Sequence, residues 1–445
     1  MTGLGDNKAF LYLEAVNVWG LSLVLLAAAT FLVLLPARLR VQAGVFLSAA
    51  WLPMNLFTDF LQLFVPAKVT FFAGPGLILL GLATTASHVF QRGLVWVLPL
   101  FGLAMSVFVL RTADVSYALV TRLGWSFGAL AFSGLAVYTV DTGRYRETLG
   151  AFTYGAVLPI GLAAAALVFS PGSGFGRGVG RFFPWGANPN QIGPLFASTG
   201  VLALTLMLVE NRAGRRGLLA AILVACTGLT LMTGSRSALL ILAGPAMLIA
   251  AGYRRFVWLA VIGLAGLTAW WLVVYRSGVN VDLARITGGG DSGRLDIARI
   301  YFRRLIGERP MLGLLEAGGL NSQQESGVGT HSHNVYVEFL YLGGLPLLLA
   351  ATGLLVGMAI VSVRMVLAGI ATRHSLLLGL GAIPLVMLVH NLTTIIVIYP
   401  TNSWYAVVIF SAVALGRLSQ YRREGHAAPP AVAPGVAAPA PGVAV

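Results

Sequence analysis

The feature that most constrains this chain is the recurrence of apolar runs long enough to cross a lipid bilayer. A spanning helix needs about 20 predominantly apolar residues. Runs of that order are read at 16–35, 41–65, 69–90, 93–110, 117–140 and 149–169. They continue at 191–209, 217–233, 238–251 and 256–275, and after a long polar segment at 335–363, 376–398 and 403–418. The chain is 58% hydrophobic and 10% charged, where an ordinary soluble chain carries roughly 25% charged residues. The expected fold class is an all-α polytopic membrane protein with about 12 transmembrane helices. Counting every run gives thirteen spans and an outer N-terminus, whereas a re-entrant stretch around residues 59–72 leaves twelve and an inner one.

The net charge of +14 does not point to nucleic acid, because the charges sit in short clusters between apolar runs, where they act as topology signals. Arg212, Arg215 and Arg216 form one cluster, Arg254 and Arg255 a second, Arg364 and Arg373 a third, and Arg417, Arg422 and Arg423 a fourth. Alternating spans put all of them on one face, which the positive-inside rule makes cytoplasmic. The segment from Arg276 to Asn334 then lies outside, in the periplasm of a Gram-negative cell, and its seven arginines are nearly matched by six acids. Disulfides are excluded by the single cysteine, Cys226, which lies inside an apolar run. No cleavable leader is expected, since residues 1–10 are polar but not basic and the first run is long enough to remain as a span. The chain divides into an N-terminal bundle (1–275), an outer loop (276–334), three C-terminal spans (335–420) and a disordered Pro/Ala/Gly-rich cytoplasmic tail (421–445).

Polar motifs stand at expected helix starts on the outer face. Asn188-Pro189-Asn190 precedes a span, and by itself reads first as a helix cap. Ser235-Arg236-Ser237 occupies a tight outer turn. A cation is disfavoured there by the positive partial charge of a helix N-terminus, so a guanidinium beside unsatisfied N–H groups reads as an anion site. A snorkelling arginine is the plainer alternative.

Asp291-Ser292-Gly293-Arg294 follows three glycines and opens an amphipathic helix, with Leu295, Ala298, Tyr301, Phe302 and Leu305 on one face and Pro310 ending it. Arg294 repeats the cation-at-a-helix-start pattern, while Arg299, Arg303 and Arg304 read as contacts to lipid headgroups. His331-Ser332-His333-Asn334 leads straight into Val335-Tyr336-Val337-Glu338. With no third His or Cys and no Asp-x-Asp pair nearby, these histidines do not read as a metal site. A histidine there suits general-base work, with Asn334 as a cap and Glu338 orienting an imidazole, the alternative being interface histidines with no chemistry. His390 reads as an interhelical hydrogen-bonding group, and Asp59 and Arg122 are intramembrane charges to which nothing assigns a role.

The stretches Thr233-Gly234-Ser235-Arg236-Ser237-Ala238, Ser292-Gly293-Arg294, Arg309-Pro310-Met311-Leu312-Gly313 and His333-Asn334-Val335-Tyr336-Val337-Glu338 with Gly343-Gly344 resemble the O-antigen ligase and polymerase superfamily. Asn188-Pro189-Asn190 fits as well, and the likeness covers about residues 177–349. The resemblance implies a GT-C-like inner-membrane glycosyltransferase with a periplasmic site. Its donor would be a glycan on undecaprenyl pyrophosphate, its acceptor the lipid A–core, and it would need neither metal nor cofactor. It further implies His333 as the general base, with Arg236 and Arg294 facing the pyrophosphate. Asn188, Asn190, Ser235, Ser292, His331, Asn334 and Glu338 would complete the substrate site. A polymerase or a protein O-oligosaccharyltransferase is the neighbouring expectation within the superfamily. A transporter or flippase is disfavoured by the absence of an internal repeat.

Overall fold

The computed structural model describes residues 34–57, 67–109, 115–169, 181–253, 334–390 and 403–423, together with isolated positions between 263 and 313. Among these residues every regular element is a helix. They are α1 (Ala37–Trp51, continued by a 3₁₀ turn Leu52–Leu56), α2 (Ala67–Thr85), α3 (Gly93–Val109), α4 (Val115–Thr142) and α5 (Tyr145–Phe169). They continue as α6 (Pro189–Met207), α7 (Ala213–Met232), α8 (Arg236–Tyr253), α9 (Val335–Thr372), α10 (Ser375–His390) and α11 (Ser403–Arg423). Five described helical stretches are long and apolar enough to cross a membrane, within α4, α5, α7, α8 and α9. The chain is a membrane protein, all-helical among the described residues. The run at 16–35, apart from its last two residues, and the stretch around Asp59 lie outside the described residues. Ala67–Thr85 is continuous helix packed against α1.

Bonds between helices, and within the turns that join them, sort the bundle into two ends. At one end Gln42 Nε2 donates to Glu147 at 2.8 Å, joining the start of α1 to the start of α5. Arg417 pairs with Asp141 at 2.8 Å, joining α11 to the end of α4, and both groups are nearly buried. In the α6–α7 turn, Glu210 accepts the N–H groups of Asn211 and Arg212 at 3.0 Å. The Arg212 N–H is the main reason its carboxyl sits below the usual range, with the Asn211 N–H and the charges of Arg215 and Arg146 adding to it. The Ser375 N–H donates to the Tyr253 hydroxyl at 3.0 Å, joining the α9–α10 turn to the last residue of α8. This is the arginine-rich end, because Arg146, Arg212, Arg215, Arg216, Arg373 and Arg417 all belong to these turns and helix ends. At the opposite end, Trp185 Nε1 donates to Leu162 O and Phe182 N–H to Met232 O, joining the segment before α6 to α5 and α7.

Small residues allow the close helix crossings expected where apolar attraction cannot drive association within lipid. A Cβ on Gly44 would fall 2.7 Å from Ile78 N, and one on Gly74 would overlap Ser48, so α1 and α2 meet backbone to backbone. Between α4, α5 and α11 the contact is aromatic: Phe132 packs on Phe152 and Tyr405 with ring centroids 6.1 and 5.8 Å apart, and Phe152 on Phe410 at 5.7 Å.

The run at 335–363 is expected as one span, and the structure differs. At Gly344 the backbone takes φ 67° and ψ −162°, outside helical space. Val335 and Phe339 line the same apolar cavity as Ala351, Leu354, Leu355 and Met358. An unbroken helix would hold Val335 and Met358 roughly 35 Å apart at 1.5 Å per residue, so the chain turns back at Gly344. Residues 335–343 form a short arm beside the long arm that runs down to Thr372. Gly313, itself at φ 76°, seats against this bend: a Cβ there would collide with Tyr341 O and lie 3.0 Å from Gly344 N. The sequence signal for the reversal was Gly343-Gly344, since only glycine takes such a backbone readily.

Candidate functional site: a donor-rich lip

Asn188 begins the site as the cap of α6. Its Oδ1 accepts the Asn190 N–H at 2.9 Å, and its carbonyl receives Gln191 and Ile192. Pro189 occupies the first helical position, where a missing N–H costs nothing. The plain capping reading of this motif therefore holds for the Asn188 oxygen. Asn188 as a whole is exposed.

The α7–α8 turn is tighter. Thr233 ends α7, Gly234 takes the left-handed conformation at φ 57°, and Ser235 caps α8 with Oγ 3.4 Å from the Ala238 N–H. Thr233 and Ser235 are buried, and the Ser235 and Ser237 hydroxyls lie 3.1 Å apart. Arg236 follows as the first residue of α8 and is exposed. The N–H groups of a first helical turn have no carbonyl behind them within the helix, so the turn presents positive partial charge with a guanidinium at its edge.

One arginine that the motif reading passed over joins these two pieces. Arg181 is 7% exposed; its Nε donates to Thr233 O at 2.8 Å and its Nη2 to Asn190 Oδ1 at 2.8 Å. The adjoining Phe182 is fully buried, and its N–H donates to Met232 O at 3.0 Å. Trp185 adopts φ 50°, ψ 42°, a left-handed conformation costing roughly 1–2 kcal/mol, and its indole bond to Leu162 O anchors the loop to α5. The available signal was a lone arginine inside the aromatic run Arg181-Phe182-Phe183-Pro184-Trp185, set just ahead of a helix cap. α6 and the turn also touch directly, as a Cβ on Gly193 would lie 2.8 Å from Ala238 Cβ and 3.0 Å from Thr233 Oγ1.

The third described piece is the start of the α9 short arm. Asn334 caps it, Oδ1 accepting the Tyr336 and Val337 N–H groups at 2.9 and 3.2 Å, and Glu338 lies one turn on, 4% exposed. The fold-back sets its level. Arg236 lies 17 residues from Tyr253 along α8, about 26 Å above the arginine-rich end by helical rise. Val335 lines the same cavity as Ala351, Leu354, Leu355 and Met358, which lie 21 to 14 residues from Thr372, about 21–32 Å above the same end by helical rise. Turning back at Gly344 thus returns Asn334 to the height of Arg236, where a straight helix would carry it well beyond.

The expected residues Ser292, Arg294, His331 and His333 lie outside the described residues, as does Asp59. The amphipathic segment is helical at 299–300 and 302–303, with Arg299, Ile300, Phe302 and Arg303 all exposed. Arg122 and His390 are each 1% exposed, inside the bundle. The structure therefore brings Asn188, Asn190, Ser235 and Arg236 together through Arg181 and sets Asn334 and Glu338 at about their level. The Asn188 and Asn190 oxygens both accept bonds within the protein, so the polar groups gathered at this lip are weighted towards donors. Such a set recognises an anion, and a planar guanidinium can take two of its oxygens at once.

Neither protein-family models nor curated proteins give a match to this chain.

Proposed function

We propose that this protein is a multi-pass inner-membrane glycosyltransferase of GT-C-like build, with about 12 spans and its lip facing the periplasm. It moves O-antigen glycan from undecaprenyl pyrophosphate to the lipid A–core. The observation that carries this reading is the Arg181 bridge between Asn190 and Thr233. It joins two motifs distant in sequence into one donor-rich lip at the end opposite the arginine-rich turns. Positive charge belongs on the cytoplasmic side, which puts the lip outside.

The reaction is a single displacement. The acceptor hydroxyl oxygen attacks the anomeric carbon of the donor, His333 takes its proton, and the bond to the pyrophosphate oxygen breaks with inversion. Arg236 and Arg294 hold the negative charge that gathers on the departing pyrophosphate, where guanidinium groups aimed at developing charge act most strongly. Asn188, Asn190, Ser235, Ser292, His331, Asn334 and Glu338 complete the substrate site around these three groups. No metal enters this chemistry.

The test is transfer by the purified full-length chain in detergent, given a polyprenyl-pyrophosphate-linked glycan and lipid A–core, with chelator present. Glycan appearing on the lipid A–core supports the reading. Joining of two donor glycans instead makes the protein a polymerase, and no transfer by folded protein overturns the reading.

A further inference from the structure

We infer that Arg181 is a positioning residue for this site: its guanidinium fixes both the orientation of the Asn190 amide and the turn that aims Arg236. This rests on the function proposed above for its consequence in catalysis, though not for the geometry itself.

Two bonds of equal length, 2.8 Å, run from one planar group to two acceptors on different elements. The bond to Asn190 consumes the amide oxygen. An asparagine amide carries its acceptor and its two donors on opposite sides, so the N–H₂ group is turned away from Arg181. Rotating the amide by half a turn would set N–H donors against a guanidinium that has only donors, and Arg181 forbids that. The bond to Thr233 closes a carbonyl at the end of α7 that has no helical partner. A Cβ on Gly234 would stand 3.6 Å from Arg181 Cγ and 3.7 Å from Nε, so the arginine stem lies along the turn. Three residues after Thr233 the chain delivers Arg236.

Arg181 is 7% exposed and is bonded to Thr233 O and Asn190 Oδ1, so it acts through Asn190 and the turn that leads to Arg236. A lysine in its place would keep the charge but offer a single point donor on a flexible stem, unable to hold both acceptors in one plane.

The experiment uses the full-length protein with Arg181→Lys or Asn190→Asp, and Arg215→Gln at the far end as a control. Asn190→Asp keeps an acceptor for Arg181 while removing the N–H₂ donors and adding negative charge where an anion should bind. Both variants should lower kcat for transfer by about a hundredfold, the scale of a misplaced group near the chemistry, with KM for the acceptor unchanged. Asn190→Asp should unfold no earlier than the parent. A second readout does not depend on the reaction: the rate at which a thiol reagent modifies Ser237→Cys, the native Cys226 being buried. Arg181→Lys should change that rate severalfold. Parental kcat in both variants, with an unchanged labelling rate, overturns the inference. Altered labelling in a protein that transfers no glycan upholds the positioning of the turn and overturns the proposed reaction instead.

Discussion

The backbone N–H of Ser375 donates to the hydroxyl of Tyr253 at 3.0 Å, tying the turn that carries Arg373 to the last described residue before Arg254 and Arg255. Arg212, Arg215 and Arg216 belong to the same end through the Glu210 turn. The sidedness this implies can be read directly. In intact cells a membrane-impermeant thiol reagent should modify Ser237→Cys and leave Arg215→Cys untouched, and inverted vesicles should reverse the pattern. The same side for both positions would dismantle the topology.

Asp141 and Arg417 make a second long-range tie, with side chains 11% and 2% exposed. Removing one member of a buried ion pair strands the other charge, at a cost of about 3–5 kcal/mol. Asp141→Ala should therefore lower the unfolding midpoint clearly, and Asp141→Ala with Arg417→Met should restore much of it. Thermal unfolding in detergent checks this. Equal stability of the single and double variants would mean the pair contributes little.

The bend at Gly344 makes a sharper demand. Any side chain is strained at φ 67°, and a Cβ on Gly313 meets the carbonyl of Tyr341. Gly344→Ala and Gly313→Ala should each cost roughly 1–3 kcal/mol and move Asn334 away from the level of Arg236, with loss of transfer. Gly353→Ala, where a Cβ meets nothing within 4 Å, should be close to silent. Parental transfer in both hinge variants would show that the arm need not be held.

Most of the bundle was legible because bilayer physics leaves few choices. An apolar run near spanning length has to be helical, and α4, α5, α7 and α8 fall close to the runs read for them. Arg212, Arg215, Arg216, Arg373 and Arg417, expected on one face, do fall at one end of the bundle, while Arg254 and Arg255 lie outside the described residues. What the sequence hid was tertiary. The 335–363 run looks uniform in hydropathy, so its reversal was visible only as a pair of glycines whose partner, Gly313, lies 31 residues earlier. Arg181 was hidden for a similar reason. A lone arginine among aromatics gives no periodic signal, and its worth depends on Thr233, 52 residues away. Asn188 and Asn334 were readable as caps because capping is local.

Arg236 separates charge from shape. If it grips two pyrophosphate oxygens, Arg236→Lys should lose about 10²–10³-fold in kcat, the scale of one electrostatic donor. Arg236→Ala should lose at least as much. His333→Ala should lose about 10²–10⁴-fold as the general base, without a shift in unfolding midpoint. Steady-state transfer by each purified variant measures this, and near-parental rates for His333→Ala would remove it from the mechanism.

The proposed site requires distant segments to meet at one lip, and their proximity can be measured in a Cys226→Ala background. Arg236→Cys should be bridged to His333→Cys, and separately to Arg294→Cys, by a short bifunctional thiol reagent added from outside. Arg215→Cys should be bridged to neither. Failure of both Arg236→Cys pairs, or bridging of either partner to Arg215→Cys, would contradict a shared site.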